Sequence, residues 1–549
     1  MSPSVVPPDY YALAAKAIAA RDSCIPAEYR LPKSAHSLSL DVHELNETSD
    51  ILTDEDREII NLSALQLRDA IVSTRYSAED ATKAYIKSAS IAQQATNCLV
   101  EMFAGEALER ARWLDQEFQR TGRVVGSLHG VPISIKDHIS VKDHDSPSGF
   151  LSLVDKMVCE EDAHLVKILR EAGAVFYVKT TNPQSLMQLE TRCYLGITYN
   201  PYNIGLTSGG SSGGEGALIS MKGSCLGVGT DIGGSIRTPA ANCGIYGFKP
   251  SVGRIPYGGA NTPMGPVGYD GILCTHGPMA RSVDDLELYM RTLLAGEPWL
   301  VDPSLSPRPW SPMVQTEKKL RIGILRSDGV VTPVAPIRRA MEAVIGKLQE
   351  TGNFEMVDFE PFNSARAWGI LSALYWPDGG EVLEAHLRRV SEPMDPLTDW
   401  IISWSGRKPM SGKLQRELVA ARDTFRRELA AHWQKIGIDV LLCPVGPSPA
   451  PPHGTSKYWN YTSYWNLANY PAAVLPTGLT VDPVLDTELK CSGRNADEDY
   501  IYANYDAVQS QGAPLSLQVV GYAFDDEMVI AALKQMDLVL NGPKGFLAR

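Results

Sequence analysis

Val131-Pro132-Ile133-Ser134-Ile135-Lys136 alternates as a strand does, and Ala174-Val175-Phe176-Tyr177-Val178-Lys179 reads as a second strand. Between them Asp162 stands where an N-cap is expected. Leu165, Val166, Leu169 and Ala172 then follow helical spacing up to Gly173. Strand, helix, strand at this spacing predicts a βαβ unit, which implies parallel strands in a buried sheet. Upstream, Ser77 and Asp80 resemble a capping box ahead of Ala81, Ala84, Tyr85, Ala89 and Ala92. A second helix through Ala104, Ala107, Leu108, Ala111, Leu114 and Phe118 stops at Gly122. Downstream, Leu320 to Leu325, a helix through Ala340, Val344 and Leu348, and Met356-Val357-Asp358-Phe359 give another βαβ pattern. A long helix near Leu414 to Gln434 leads into Val440-Leu441-Leu442. The expected fold class is α/β: a mixed, mainly parallel central sheet covered by helices on both sides.

Residues 1–549 are expected to form one domain. It would carry an N-terminal helical extension over 1–75, a motif-bearing core at about 125–255 and a surface excursion at about 296–312. The excursion is marked by Pro298, Pro303, Pro307, Pro309 and Pro312. Hydrophobic residues at 44% and charged residues at 21% are those of a soluble globular protein. A net charge of -13 with no basic stripe disfavours phosphate-rich partners, so no nucleic acid is expected. No apolar run reaches membrane-spanning length and the N-terminus has no signal-peptide pattern, so no membrane association is expected. Nine cysteines without a CxxC pair read as reduced thiols, and the expected compartment is the cytoplasm. No HExxH or spaced Cys/His set occurs, so neither a metal nor a cofactor is expected.

Two glycine-rich stretches follow the second strand: Gly209-Gly210-Ser211-Ser212-Gly213-Gly214-Glu215-Gly216 and Gly229-Thr230-Asp231-Ile232-Gly233-Gly234-Ser235-Ile236-Arg237. Each precedes a helix-compatible run, and helix N-termini present free N–H groups. Ile232, Gly233, Gly234 and Ser235 offer four consecutive N–H donors that a tight turn could aim at one oxyanion. Such a loop could instead cradle a phosphate, but no P-loop or GxGxxG pattern is present. A serine needs a base, and a lysine desolvated at a strand end can be one. Lys136 ends its strand, with Ser134 and Pro132 on its own face and Ile133 and Ile135 on the other. A lysine beside an aspartate is more commonly an exposed ion pair. Gly209-Gly210-Ser211-Ser212-Gly213 also matches a GxSxG nucleophile elbow, for which His276, His386, His432 or His453 would have to supply the base. Asp231 and Arg237 read as a pair that pins the loop. The aromatic stretch Tyr458, Trp459, Tyr461, Tyr464, Trp465 up to Tyr470 either lines a pocket wall or packs the core.

Together these stretches resemble the amidase signature family. The likeness continues through Tyr246-Gly247-Phe248-Lys249-Pro250-Ser251 and Gly512-Ala513-Pro514-Leu515-Ser516-Leu517-Gln518-Val519-Val520-Gly521. Ile25-Pro26-Ala27-Glu28-Tyr29-Arg30-Leu31-Pro32 is most similar to its fungal acetamidase branch. The resemblance implies a Ser-cisSer-Lys triad with Ser235 as nucleophile, Ser211 as bridging serine after a cis Gly210–Ser211 bond, and Lys136 as base. It implies oxyanion donors from Ile232 to Ser235, with Gly210, Ser212, Thr230, Asp231 and Arg237 in support. The implied function is hydrolysis of a small-molecule amide through a seryl acyl-enzyme. Alternatives on the same scaffold are acyl transfer, a glutaminase that serves charged tRNA, and a binding protein without catalysis. A homodimer is the expected assembly.

Overall fold

The structure is a computed structural model that describes residues 8–32, 39–263, 269–311, 318–488 and 493–542. Pro312, Cys491 and the C-terminal Leu547-Ala548-Arg549 lie outside the described residues. The strands are β1 (Leu99–Met102), β2 (Pro132–Lys136), β3 (Val175–Thr180), β4 (Arg192–Cys193), β5 (Gly196–Ile197), β6 (Tyr199–Asn200), β7 (Asn203–Thr207) and β8 (Leu226–Asp231). They continue as β9 (Tyr246–Lys249), β10 (Thr275–Ala280), β11 (Leu320–Ile324), β12 (Phe354–Asp358), β13 (Val440–Pro444), β14 (Ala472–Thr480) and β15 (Pro514–Gly521). Eleven of them form one sheet in the order β1-β3-β2-β8-β10-β9-β14-β15-β13-β11-β12, while β4–β5 and β6–β7 are separate two-stranded pairs.

The sheet is mixed. Parallel pairing joins β3, β2 and β8 toward one end and β13, β11 and β12 at the other. The expected parallel βαβ units are therefore present at both ends. The helix His164–Glu171 crosses between β2 and β3, and Ala335–Glu350 crosses between β11 and β12. The middle, β8-β10-β9-β14-β15-β13, is antiparallel throughout. Antiparallel neighbours need no helical crossover, so the βαβ rhythm carries no information about them.

The predicted helices form for the stated reasons. Ser77 and Asp80 close a capping box on Ala78–Thr96, whose Ala81, Ala84, Tyr85, Ala89 and Ala92 are buried. Ala104–Thr121 ends on Gly122 in the left-handed conformation. Asp162 does not cap its helix; the N-cap is Ala163. The Asp162 carboxylate instead accepts the Lys142 N–H and pairs with Arg170 at 2.9 Å. Four helices, Pro8–Ser23, Leu45–Thr48, Asp54–Asn61 and Ala64–Val72, occupy the N-terminal part. The proline-rich excursion runs over the surface, tucked in by buried Pro298 and Leu305. No described helix is long and apolar enough to cross a membrane. The described cysteines are free thiols, and the described residues hold no cluster of three metal-ligating side chains.

Candidate active site

Parallel β2 and β8 carry Lys136 and Thr230 to the same edge of the sheet, the C-terminal edge where open α/β sheets place their ligands. Lys136 is fully buried, and its Nζ is hydrogen-bonded with Ser211 Oγ at 2.6 Å and with Thr230 Oγ1 at 2.9 Å. The Gly210–Ser211 peptide bond is cis. A side chain at Gly210 would stand 2.5 Å from the Glu190 backbone nitrogen, so only glycine fits there. Ser212 N-caps the helix Gly213–Ser220, and its hydroxyl bridges to the N–H and carbonyl of Thr230 at 3.3 and 3.4 Å.

Ser235 lies at the end of a turn whose carbonyls are all held from outside. Tyr375 Oη donates to the Ile232 carbonyl at 2.8 Å, and Thr462 Oγ1 to that of Gly233 at 2.7 Å. The Thr238 N–H donates to Gly234 at 2.7 Å and the Ser212 N–H to Ser235 at 3.0 Å. With the carbonyls tied back, the N–H groups of Ile232, Gly233 and Ser235 carry no hydrogen bond within the described residues. Asp231 and Arg237 brace this turn as a fully buried pair, with Nε and Nη2 each 3.0 Å from the carboxylate. The same carboxylate accepts the N–H of Gly234 at 2.9 Å and of Ile236 at 3.1 Å. The expected four-donor set is thereby corrected: the Gly234 N–H is committed to Asp231, leaving Ile232, Gly233 and Ser235. A side chain at Gly233 would lie 2.8 Å from Tyr375 Oη, which explains the glycine.

Ser211 and Ser235 open together onto a cavity of about 680 Å³. Its walls are mainly apolar: Leu186, Met187, Ile255, Ile272, Leu273, Leu305, Leu374 and Trp376. Asp302 and Ser304 from the surface excursion stand on its lining. Burial drives the electrostatics. It lowers Lys136 to about 7, against the opposing pull of the Cys274 thiol, Asp231, Glu215 and Asp137. Burial likewise raises Glu215 to about 7, although Ser134 and Thr180 donate to it at 2.6 and 2.8 Å. The small-residue face beside Lys136 is thus filled by this carboxylate. Burial alone would raise Asp231, but the Arg237 guanidinium holds it well below the usual carboxylate range.

The amidase family profile matches residues 80–530, 451 of the 549 residues. The chain belongs to the amidase family. A Schizosaccharomyces pombe protein named as an amidase is 43% identical, over 96% of this chain and 99% of its own. The acetamidase of Emericella nidulans is 33% identical over 98% and 99%. Among solved structures, a fatty acid amide hydrolase superposes with a TM-score of 0.92 at 34% identity, covering 98% of this amidase and 97% of that chain. The protein is an amide hydrolase of the amidase signature fold.

In this amidase the nucleophile-elbow alternative finds no support. His276 faces the Pro256 carbonyl, His453 the Ile204 carbonyl, and His386 lies against Arg389. His432 packs on Phe359 and Phe362. The aromatic stretch packs the interior and contributes nothing to the cavity lining. Tyr464 and Trp465 belong to the core with Phe425 and Trp433. Tyr458 and Asn460 bind the buried Asp328 carboxylate at 2.5 and 3.0 Å. Sequence reasoning missed Tyr375, the part played by Thr462, and the apolar wall residues, none of which belongs to a quoted motif. It also missed His138, whose signal was available: it follows Lys136 by two residues.

Proposed function

We propose that this amidase cleaves amides through an acyl-enzyme on Ser235, with Ser211 as proton relay and Lys136 as base. The observation that carries the reading is the buried Lys136 Nζ, 2.6 Å from Ser211 Oγ, behind a cavity that Ser211 shares with Ser235. A lysine lowered to about 7 is substantially neutral at physiological pH and can accept a proton. Lys136 takes the Ser211 proton as Ser211 takes that of Ser235, whose oxygen attacks the amide carbonyl. The N–H groups of Ile232, Gly233 and Ser235 receive the oxyanion. Ser211 returns the proton to the departing nitrogen, the C–N bond breaks, and water then releases the acid by the same relay.

The cavity supports a substrate class as well. An apolar lining with polar groups gathered at one end suits an amide with a large aliphatic or aryl acyl group. Its likeness to a fatty acid amide hydrolase favours the same class. The test is a series of primary amides of increasing acyl length. The expected result is kcat/KM rising by at least about tenfold from acetamide to a long or aromatic acyl group. A series flat with length, or best at acetamide, overturns the substrate class. The mechanism makes no use of a metal, so a strong chelator should leave the rate unchanged, and loss restored by zinc or manganese overturns it.

A further inference from the structure

We infer that His138 is a positioning residue that keeps the lone pair of Lys136 free for Ser211, by engaging the hydroxyl proton of Thr230. The inference rests on the reading of Lys136 as the base. His138 Nδ1 faces the Asn261 carbonyl at 3.3 Å, and the Asn261 N–H donates back to the His138 carbonyl at 2.7 Å. A carbonyl only accepts, so Nδ1 carries a proton; burial and the neighbouring Lys136 hold the ring well below the usual histidine range, so it is neutral and Nε2 is bare. Nε2 lies 2.9 Å from Thr230 Oγ1 and must accept from it. The Thr230 hydroxyl has one proton, and that proton is spent on His138. Toward Lys136 Nζ, 2.9 Å away, Thr230 can therefore only accept.

The consequence falls on the base. A neutral lysine has two N–H donors and one lone pair. Its hydrogen-bond neighbours among the described residues are Thr230 and Ser211. With Thr230 limited to accepting, the lone pair is left for the Ser211 hydroxyl, the direction in which the proton must travel. Without an acceptor at position 138 the Thr230 hydroxyl would turn to the amine and compete with Ser211. The charged or titratable groups facing His138 are Lys136, His276 and Lys179. Those facing Lys136 are Cys274, Asp231, Glu215 and Asp137. None of these supplies the missing acceptor for Thr230, whose side-chain hydrogen bonds run to Lys136 and His138.

Kinetics of the full chain on one aryl amide test this. His138→Leu should lower kcat about tenfold or more with KM within about threefold, and should move the acid limb of kcat/KM to lower pH. His138→Gln, which keeps an acceptor for Thr230 and a donor for Asn261, should keep kcat within about threefold. Adding Thr230→Val to His138→Leu removes the competing donor and should raise kcat above that of His138→Leu alone. If His138→Leu does not fold, His138→Asn takes its place, because its shorter amide cannot span both partners. The inference is overturned by a Leu variant with unchanged kcat and acid limb. It is equally overturned if Gln is as inactive as Leu, or if Thr230→Val only adds its own loss. Lys136→Ala, run in parallel, separates the two readings. If Lys136→Ala keeps full activity, the base assignment falls; if it is inactive while the His138 results fail, only the present inference falls.

Discussion

The two ends of the sheet are built alike and used differently. Each holds a parallel trio, β3-β2-β8 and β13-β11-β12, with a helix crossing between two of its strands. Beyond the C-terminal end of β8 the chain runs through Ile232-Gly233-Gly234-Ser235, whose carbonyls are tied back and whose remaining N–H groups are free. Beyond β11 it reaches Asp328, also buried, but saturated. Val330 and Val331 donate N–H groups to it at 2.9 and 3.0 Å, and Tyr458 and Asn460 complete the set. One strand end has donors without acceptors beside an open cavity; the other has a buried carboxylate with both oxygens matched. The difference teaches that parallel strand ends offer a location, while reactivity comes from leaving groups unmatched there.

The sharpest way to break this contrast is at Ser235. Ser235→Ala should cut amide hydrolysis by at least about a thousandfold, with the unfolding transition unchanged. Activity within tenfold of wild type would move the nucleophile elsewhere. Next comes pH: below about 7 the rate of acylation should fall close to tenfold per unit as Lys136 gains its proton. A profile flat into the acid range would remove the lysine from the chemistry. Tyr375→Phe releases one of the four turn carbonyls and should lower kcat about tenfold while KM changes little. An effect on KM alone would make Tyr375 a wall residue only.

Stability should separate the two ends further. Lys136 is lowered from 10.5 to about 7 on folding, so between those values only the unfolded chain carries the proton. Stability therefore rises with pH across that window, and Lys136 weakens the fold most below it. Lys136→Met should stabilise the inactive protein by about 1–3 kcal/mol at pH 7, the gain vanishing near pH 10.5. Denaturant titrations at both pH values measure it, and a gain equal at the two would refute the account. At the other end, Asp328→Ala strands four donors and should cost about 2–4 kcal/mol, with kcat of the folded enzyme within about twofold. A large loss of kcat would show that the two ends are coupled.

What the sequence disclosed follows from the range of its signals. Lys136, Ser211 and Ser235 sit at strand and helix boundaries that local pattern marks, and the pair Asp231–Arg237 lies six residues apart. The antiparallel middle was not legible, because buried polar and strand-breaking residues such as Lys249, His276, Pro278 and Gln518 interrupt the apolar pattern of β9, β10 and β15. The aromatic run from Tyr458 reads equally as a wall or as a core, since ring content is the same for both, and only the packing decides for the core. The Gly234 donor was miscounted because the carboxylate three residues before it competes for that N–H.

The surface excursion that contributes Asp302, Ser304 and Leu305 to the cavity belongs to neither trio. It is fastened by the Ser306 N–H on the Gly253 carbonyl and by Arg308 on that of Phe524. Such a loop can change in length and composition without disturbing a single ladder bond of the sheet. In descent from a common ancestor, new substrates could be acquired by rewriting a dozen residues at the rim, while the machinery beneath stayed as it was.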